Sequence, residues 1–360
     1  MEFPLKILIT GNMGYVGPCV VERMRISNPD AILVGLDMGL FANCVTNTLN
    51  RPETTVDVQY YADVRNFPRD VLSGVDAIVH LAAISNDPMG QRYAKATVDI
   101  NHRATVALAN RAKKAGVKTF VFASSCSIYG YSDMEARTEN SPVNPLTAYA
   151  KSKVFAERDL APLADKTFTV TCLRFPTACG MSERLRLDLV LNDFVAGAVV
   201  LKKITVLSDG TPWRPLINVK DMAGAIDWAI KRKGEKGGDF LALNVGSDGW
   251  NYQIKDLAFV VAELIPGVNV EINRNAQPDK RTYKVNFQLF RDLAPNYQPV
   301  VSLKETINEL SAGLKAVNFS DRDYRNSIFM RLKMLNTLLE KGYITETLEW
   351  KLRKLHKTSG

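Results

Sequence analysis

Tyr149 and Lys153 stand four residues apart in a stretch that resumes helical spacing after the breakers Pro142 and Pro145. That spacing sets a phenol and an ammonium on one helical face, one turn apart. A cation near a phenol favours the phenolate and lowers its pKa toward neutrality, giving a general base for taking a proton from an alcohol. A hydroxyl lies upstream, where the apolar run Thr119-Phe120-Val121-Phe122-Ala123 reads as a strand and spills into Ser124-Ser125-Cys126-Ser127 before Tyr129-Gly130. Near the start, Gly11-Asn12-Met13-Gly14-Tyr15-Val16-Gly17 follows the short strand Leu5-Lys6-Ile7-Leu8-Ile9. Glycines so spaced permit a tight strand-to-helix turn and let a pyrophosphate reach backbone N–H groups at a helix N-terminus. Pro18 is tolerated there because first-turn N–H groups have no helical partner to lose.

These groups need a frame. Further apolar strands are expected at Ala31 to Leu36, Val56 to Ala62, Ala77 to Ala83 and Thr169 to Phe175, separated by helical segments such as Val98 to Ala115. The alternation predicts an α/β fold with a parallel, doubly wound sheet covered on both faces. Asp37 ends the second strand about 20 positions after the glycines, placed to accept hydrogen bonds from adenosine ribose hydroxyls and to repel a 2′-phosphate. No Arg follows at positions 38–40, which favours NAD over NADP. His80 lies inside a buried strand and reads as a satisfied core histidine.

From Pro176 the pattern loosens. A charged, irregular run from Cys179 to Arg186 precedes an amphipathic helix near Leu187 to Val200, a strand at Ile204-Thr205-Val206 and the segment Trp213 to Asp221, before Phe240 to Val245 returns to sheet. The expected division is a dinucleotide-binding domain over residues 1–175 and 217–247. Residues 176–216 and 248–360 then form a smaller, mixed α/β substrate-binding domain. Its helical C-terminal extension is expected around Lys304 to Ala316 and Ser327 to Lys341.

Ser-Ser-x-x-x-Tyr-Gly at 124–130, Tyr149-Ala150-Lys151-Ser152-Lys153 and Gly-x-x-Gly-x-x-Gly at 11–17 together resemble the short-chain dehydrogenase/reductase superfamily, in particular its extended branch of nucleotide-sugar epimerases and dehydratases similar to UDP-galactose 4-epimerase. The resemblance implies a Rossmann-type fold. NAD would be bound by Gly11, Gly14, Tyr15, Val16, Gly17 and Asp37, with Asp63 and Val64 against the adenine and Leu81, Ala82 and Ala83 close to the cofactor. Ser125, Tyr149 and Lys153 would be catalytic: Tyr149 takes the proton of a sugar hydroxyl while the carbon-bound hydride passes to NAD, Lys153 tunes Tyr149 and holds the nicotinamide ribose, and Ser125 bonds the reacting oxygen. The partner is then a nucleotide-diphosphate sugar, with Asn86 near it. Arg214, ahead of a helix capped by Asp221, and Arg281, in the run Gln277 to Arg281, resemble two diphosphate-contacting arginines; an ordinary surface ion pair is the alternative for either. A homodimer is implied, through the Val98 to Ala115 helix and the Tyr-Lys helix of a second subunit.

Reaction type turns on the two residues after Ser125. Dehydratases of this branch place an Asp-Glu pair there, whereas this chain has Cys126 and Ser127. A 4-epimerase needs no further acid or base, so C4 epimerisation through a 4-keto sugar on tightly bound NAD is the expectation. Inversion beside the ketone would need another pair, for which Cys126, Ser127, Arg186 and Asp188 are the candidates, although a small buried residue is the simpler reading of Cys126. A reductase or dehydrogenase, a dehydratase, and an NAD-binding scaffold that does no chemistry are the alternatives.

Composition narrows the field. The chain has 360 residues, 46% apolar and 23% charged, within the range of ordinary globular proteins. Its 46 Lys and Arg against 38 Asp and Glu give +8, part of the excess lying near the end at Arg331, Lys333, Lys351, Arg353, Lys354 and Lys357. With no helix-turn-helix, zinc finger or aromatic-basic stripe, an anionic metabolite fits better than nucleic acid. Five cysteines without Cys-x-x-Cys spacing imply neither a disulfide framework nor a metal site. Without a signal-like or membrane-length apolar run, a cytoplasmic protein with no membrane partner is expected.

Overall fold

The apolar runs assemble in chain order in the computed structural model, which describes residues 4–46, 51–132, 135–276 and 281–351. The chain runs through β1 (Lys6–Thr10), α1 (Gly17–Ser27), β2 (Ile32–Asp37), β3 (Val58–Tyr61) and β4 (Ala77–His80). Helices α2 (Asp87–Arg92), α3 (Ala94–Val98) and α4 (Thr105–Lys114) precede β5 (Thr119–Ser125), α5 (Ala148–Leu160) and β6 (Thr169–Phe175). Then come β7 (Thr177–Cys179), α6 (Val190–Leu201), β8 (Lys203–Val206), β9 (Trp213–Asn218), α7 (Val219–Lys231) and β10 (Phe240–Asn244). The last elements are β11 (Asn251–Gln253), α8 (Ile254–Leu264), β12 (Asn269–Ile272), α9 (Gln288–Leu293), α10 (Leu303–Ala316) and α11 (Arg331–Glu340).

Seven strands pair in the order β10-β6-β5-β4-β1-β2-β3, all parallel. Both faces are buried, as continuous apolar strands require. Side chains alternate along β1: Ile7 and Ile9 pack with Val20 and Met24 of α1 and Ile226 of α7, while Leu8 packs on the other face with Leu108 of α4 and Leu160 of α5. The order reverses between β1 and β4, and that switch point opens a crevice at the strand C-termini. A smaller body pairs β11-β9-β7 and β12-β8 under α6, α8 and α10 around a core of its own.

Local chemistry sets the helix starts that matter. Thr147 caps α5, its hydroxyl accepting from the Ala150 N–H at 3.1 Å, and Asn86 caps α2 through the Met89 N–H at 2.9 Å. Asn218, not the expected Asp221, caps α7: its side chain accepts from the Lys220 N–H, while Asp221 reaches the N–H groups of Val300 and Val301. The helix expected from Val98 to Ala115 is broken by a wider π-helical turn over Asp99–Ala104. That turn places Asn101 to bond both the N–H and C=O of Ile84 beyond β4.

Parts of residues 248–360 pack against the large sheet. Phe290 of α9 lies in the core beneath β6 and β10, and Leu335 and Leu338 of α11 pack with Leu36 and Val64 of the large sheet's core. Among the described residues no helix is long and apolar enough to cross a membrane, and no group of His, Cys, Asp or Glu could hold a metal ion.

His80 is buried between Thr10 Oγ1 at 2.6 Å and Thr105 Oγ1 at 2.8 Å, and burial pushes its pKa down to about 3. The unfolded chain therefore takes up this proton first as pH falls, so the contribution of His80 to stability is complete above about pH 6.5 and drains away toward pH 3. Urea unfolding should show midpoints falling from pH 7 to pH 4, with a shallower fall for His80→Gln.

Candidate active site

A cavity of about 610 Å³ opens at the switch point, and most of the expected site residues line it. At one end are Gly11, Gly14, Tyr15, Val16 and Gly17 from the β1-α1 turn, Asp37 from β2, Asp63 and Val64 after β3, and Leu81, Ala82 and Ala83 after β4. At the other are Ser125, Tyr149 and Lys153, together with Asn86, Arg186, Asp188, Arg214 and Arg281. Cys126 is the exception. It is fully buried, its thiol points at the Arg174 carbonyl 3.1 Å away, and burial raises its pKa well above the usual thiol value. The 3₁₀ turn Cys126–Tyr129 directs it into a small core with Ile128 and Tyr283, so it is not a candidate for touching substrate. Residues 277–280 of the run leading to Arg281 lie outside the described residues.

Ser125 ends β5, and Tyr149 and Lys153 rise from the first turns of α5 beside it. The Ser125 side chain hydrogen-bonds Tyr149, and the Lys153 ammonium donates to the Ala123 carbonyl at 2.6 Å, 5.8 Å from the centre of the Tyr149 ring. Burial raises Tyr149 to about 12, opposed by the bond from Ser125, and lowers Lys153 to about 7. The Lys153 ammonium serves a carbonyl, and Arg186 is a cation that acts to lower Tyr149.

The carboxylates here are paired. Asp188 receives Arg186 Nε at 2.6 Å and Asn86 Nδ2 at 2.6 Å; Asp87 receives Arg281 at 2.7 Å and the Thr147 hydroxyl at 2.6 Å. Arg281 thus engages an acidic neighbour, and the Arg214 guanidinium sits 5.8 Å from the Tyr283 ring centre. Asp87, in the polar loop after β4 that also carries Asn86, lines the cavity, as does Tyr283, which no motif marks; the Ser127 hydroxyl, also lining it, is a buried group without a hydrogen-bond partner. Beneath them Glu157, one turn beyond Lys153 on α5, accepts from Ser124 at 2.5 Å and pairs with Arg174 at 2.8 Å. Its spacing from Tyr149 and Lys153 was the available clue.

Residues 7–246 match the profile of the NAD dependent epimerase/dehydratase family. The chain belongs to that family. Curated relatives include a putative UDP-glucose 4-epimerase of Methanocaldococcus jannaschii, 24% identical with 87% of this chain and 99% of the relative covered, and UDP-glucuronic acid decarboxylase 2 of Arabidopsis thaliana, 24% identical with 88% and 70% covered. Among solved structures, an NAD-dependent NDP-hexosamine 5,6-dehydratase involved in tunicamycin biosynthesis has a TM-score of 0.74 at 21% identity, covering 87% of this chain and 98% of that one.

Membership of the NAD-dependent epimerase/dehydratase family implies a dinucleotide, and the residues fit one. A methyl added at Gly14 would meet only the Gly11 carbonyl, at 3.1 Å, and otherwise fill the cavity. The first turn of α1 has no side-chain cap, which leaves its N–H groups to an anion. Asp37 bonds the N–H groups of Met13 and Gly39 and retains acceptor capacity for ribose hydroxyls. The two glycines should separate in mutagenesis. Gly17→Ala would drive its methyl to 2.1 Å from the Asn12 carbonyl and cost about 1–3 kcal/mol of stability. Gly14→Ala should leave the melting temperature of the cofactor-free protein unchanged but weaken NAD binding about tenfold or more, a packing loss of order 1.4 kcal/mol measurable by calorimetry.

Proposed function

We propose that this protein is a nucleotide-sugar epimerase that inverts C4 through a 4-keto sugar and keeps its cofactor bound throughout. The observation that carries this reading is the lack, among the described residues, of an unpaired acid or base beyond Tyr149 at the sugar end: Cys126 is turned into the core, Ser127 offers a hydroxyl, and Asp87 and Asp188 are held by Arg281 and Arg186. A dehydration or an inversion beside the ketone needs a second proton-transfer group. A C4 inversion does not.

In this reading the bound nicotinamide supplies the hydride acceptor and donor, and a positive charge beside Tyr149. The protein's groups handle the proton and the geometry. Tyr149 takes the C4 hydroxyl proton and later returns it, Ser125 bonds the same oxygen, and Lys153 fixes the nicotinamide ribose. Arg214 and Arg281 are suited to a diphosphate, because a guanidinium offers two parallel donors to phosphate oxygens. Arg281 would add its positive charge at the diphosphate while it stays engaged with Asp87. The large-sheet domain would hold the cofactor and the smaller body the nucleotide-sugar. We further assign a homodimer through α4 and α5, where Phe155 is exposed beside His102; light scattering would test it.

The experiment is to incubate the protein with UDP-, GDP-, CDP- and dTDP-sugars in deuterated water without added cofactor and follow products by NMR. A change of configuration with no deuterium in the ring is the expected result. Deuterium at a ring carbon would replace the reading with enediolate chemistry, and turnover that consumes added NADH would replace it with reduction. Tyr149→Phe should reduce turnover by about 10²–10⁴-fold while retaining NAD. Because Tyr149 acts only without its proton, kcat/KM should rise with pH along its acid limb.

A further inference from the structure

Met330, Leu332 and Lys333 line the same cavity as the glycine loop, although no motif or strand pattern assigns them a role. They lie in a stretch that leaves the smaller body and crosses to the large sheet. On the departing side the Tyr324 hydroxyl donates to Asp193 Oδ1 at 3.0 Å, and the Leu187 N–H donates to the Phe329 carbonyl at 3.0 Å. Arg331 then turns inward, 2% exposed, donating to the Arg184 carbonyl at 2.8 Å with its guanidinium 4.7 Å from the centre of the Phe41 ring. On the receiving side Leu335 and Leu338 enter the core with Leu36 and Val64. Trp350 Nε1 donates to the Met38 carbonyl at 2.6 Å, and Arg65, paired with Asp63, donates to the Thr347 carbonyl at 2.7 Å.

The places this stretch holds are specific. Met38 and Phe41 follow Asp37 in the loop after β2, and Asp63 and Arg65 lie in the loop after β3. In a doubly wound sheet these loops flank the adenosine half of a dinucleotide. We propose that residues 328–350 are a strap forming the outer wall of the adenosine half of the cofactor site, with Leu332 and Lys333 as dinucleotide-binding residues, so that bound NAD leaves only when the strap detaches from these two loops. Leu332 presents apolar surface suited to a flat adenine. Lys333, exposed at the rim, places an ammonium where it attracts the doubly charged pyrophosphate and opposes its departure. The inference rests on NAD as cofactor and not on which sugar reaction is catalysed.

The test measures cofactor exchange on the full-length protein, by adding the fluorescent 1,N6-etheno analogue of NAD in excess and following release of bound NAD by chromatography. Leu332→Ala and Trp350→Phe should each speed release about fivefold or more, the factor that goes with one lost packed contact or hydrogen bond, with the far-UV spectrum retained. A Lys333→Cys variant needs no core change. All five native cysteines are buried, so a maleimide should read the new thiol, and added NAD should slow its labelling. Release within twofold of wild type in both folded variants, or labelling indifferent to NAD, overturns the strap while leaving NAD as cofactor. A wild-type chain that binds no NAD overturns both.

Discussion

The contact on which the site depends is a buried ion pair. Glu157 of α5 takes Arg174 of β6 bidentately and the Ser124 hydroxyl of β5, with both charged side chains about nine-tenths buried. Removing two charges from water costs several kcal/mol for each, and the cost is met only where geometry is close and remaining donors find acceptors. Here they do. Arg174 also bonds the Tyr129 hydroxyl, which reaches Asn244 on β10 at 2.7 Å. The strand carrying Ser125 and the helix carrying Tyr149 and Lys153 are thus locked together one residue from Ser125 and two turns from Tyr149. A catalytic hydroxyl must be held to within a fraction of an ångström, and an apolar contact between β5 and α5 would leave their sliding freer.

The pairing of carboxylates above this lock gives the cavity its electrical character. Asp87 is paired with the remote Arg281 and Asp188 with Arg186 two residues before it, so this end of the cavity keeps polar donors without a strong negative field. An anionic ligand then meets a guanidinium already oriented by a neighbouring carboxylate. Part of the ordering cost is met before binding.

The frame and the cofactor end were legible in the sequence because their causes are local. Short apolar, β-branched runs such as Thr119-Phe120-Val121-Phe122 favour a covered sheet, and a glycine loop between such a strand and a Pro-led helical run favours a tight strand-to-helix turn. The features that failed to show depend on partners far away in the chain. Asp221 gives up the cap to Asn218 because Val300 and Val301 claim it. The sequence shows that Lys153 and Tyr149 share a helical face, but not that the Ala123 carbonyl would take the ammonium. The C-terminal segment has an ordinary amphipathic pattern, and only its packing shows which core it joins.

That segment also bears on the order of assembly. The bond from Trp350 to Met38 closes a loop of 312 residues, and those from Arg65 and Arg92 to residues near 346 close loops of more than 250. Contacts so remote in sequence form late, since loop closure must be met before they contribute. During synthesis every strand of the large sheet leaves the ribosome before α11 does. A nascent chain can therefore carry a formed glycine turn before α11 is available to pack beside the loops after β2 and β3.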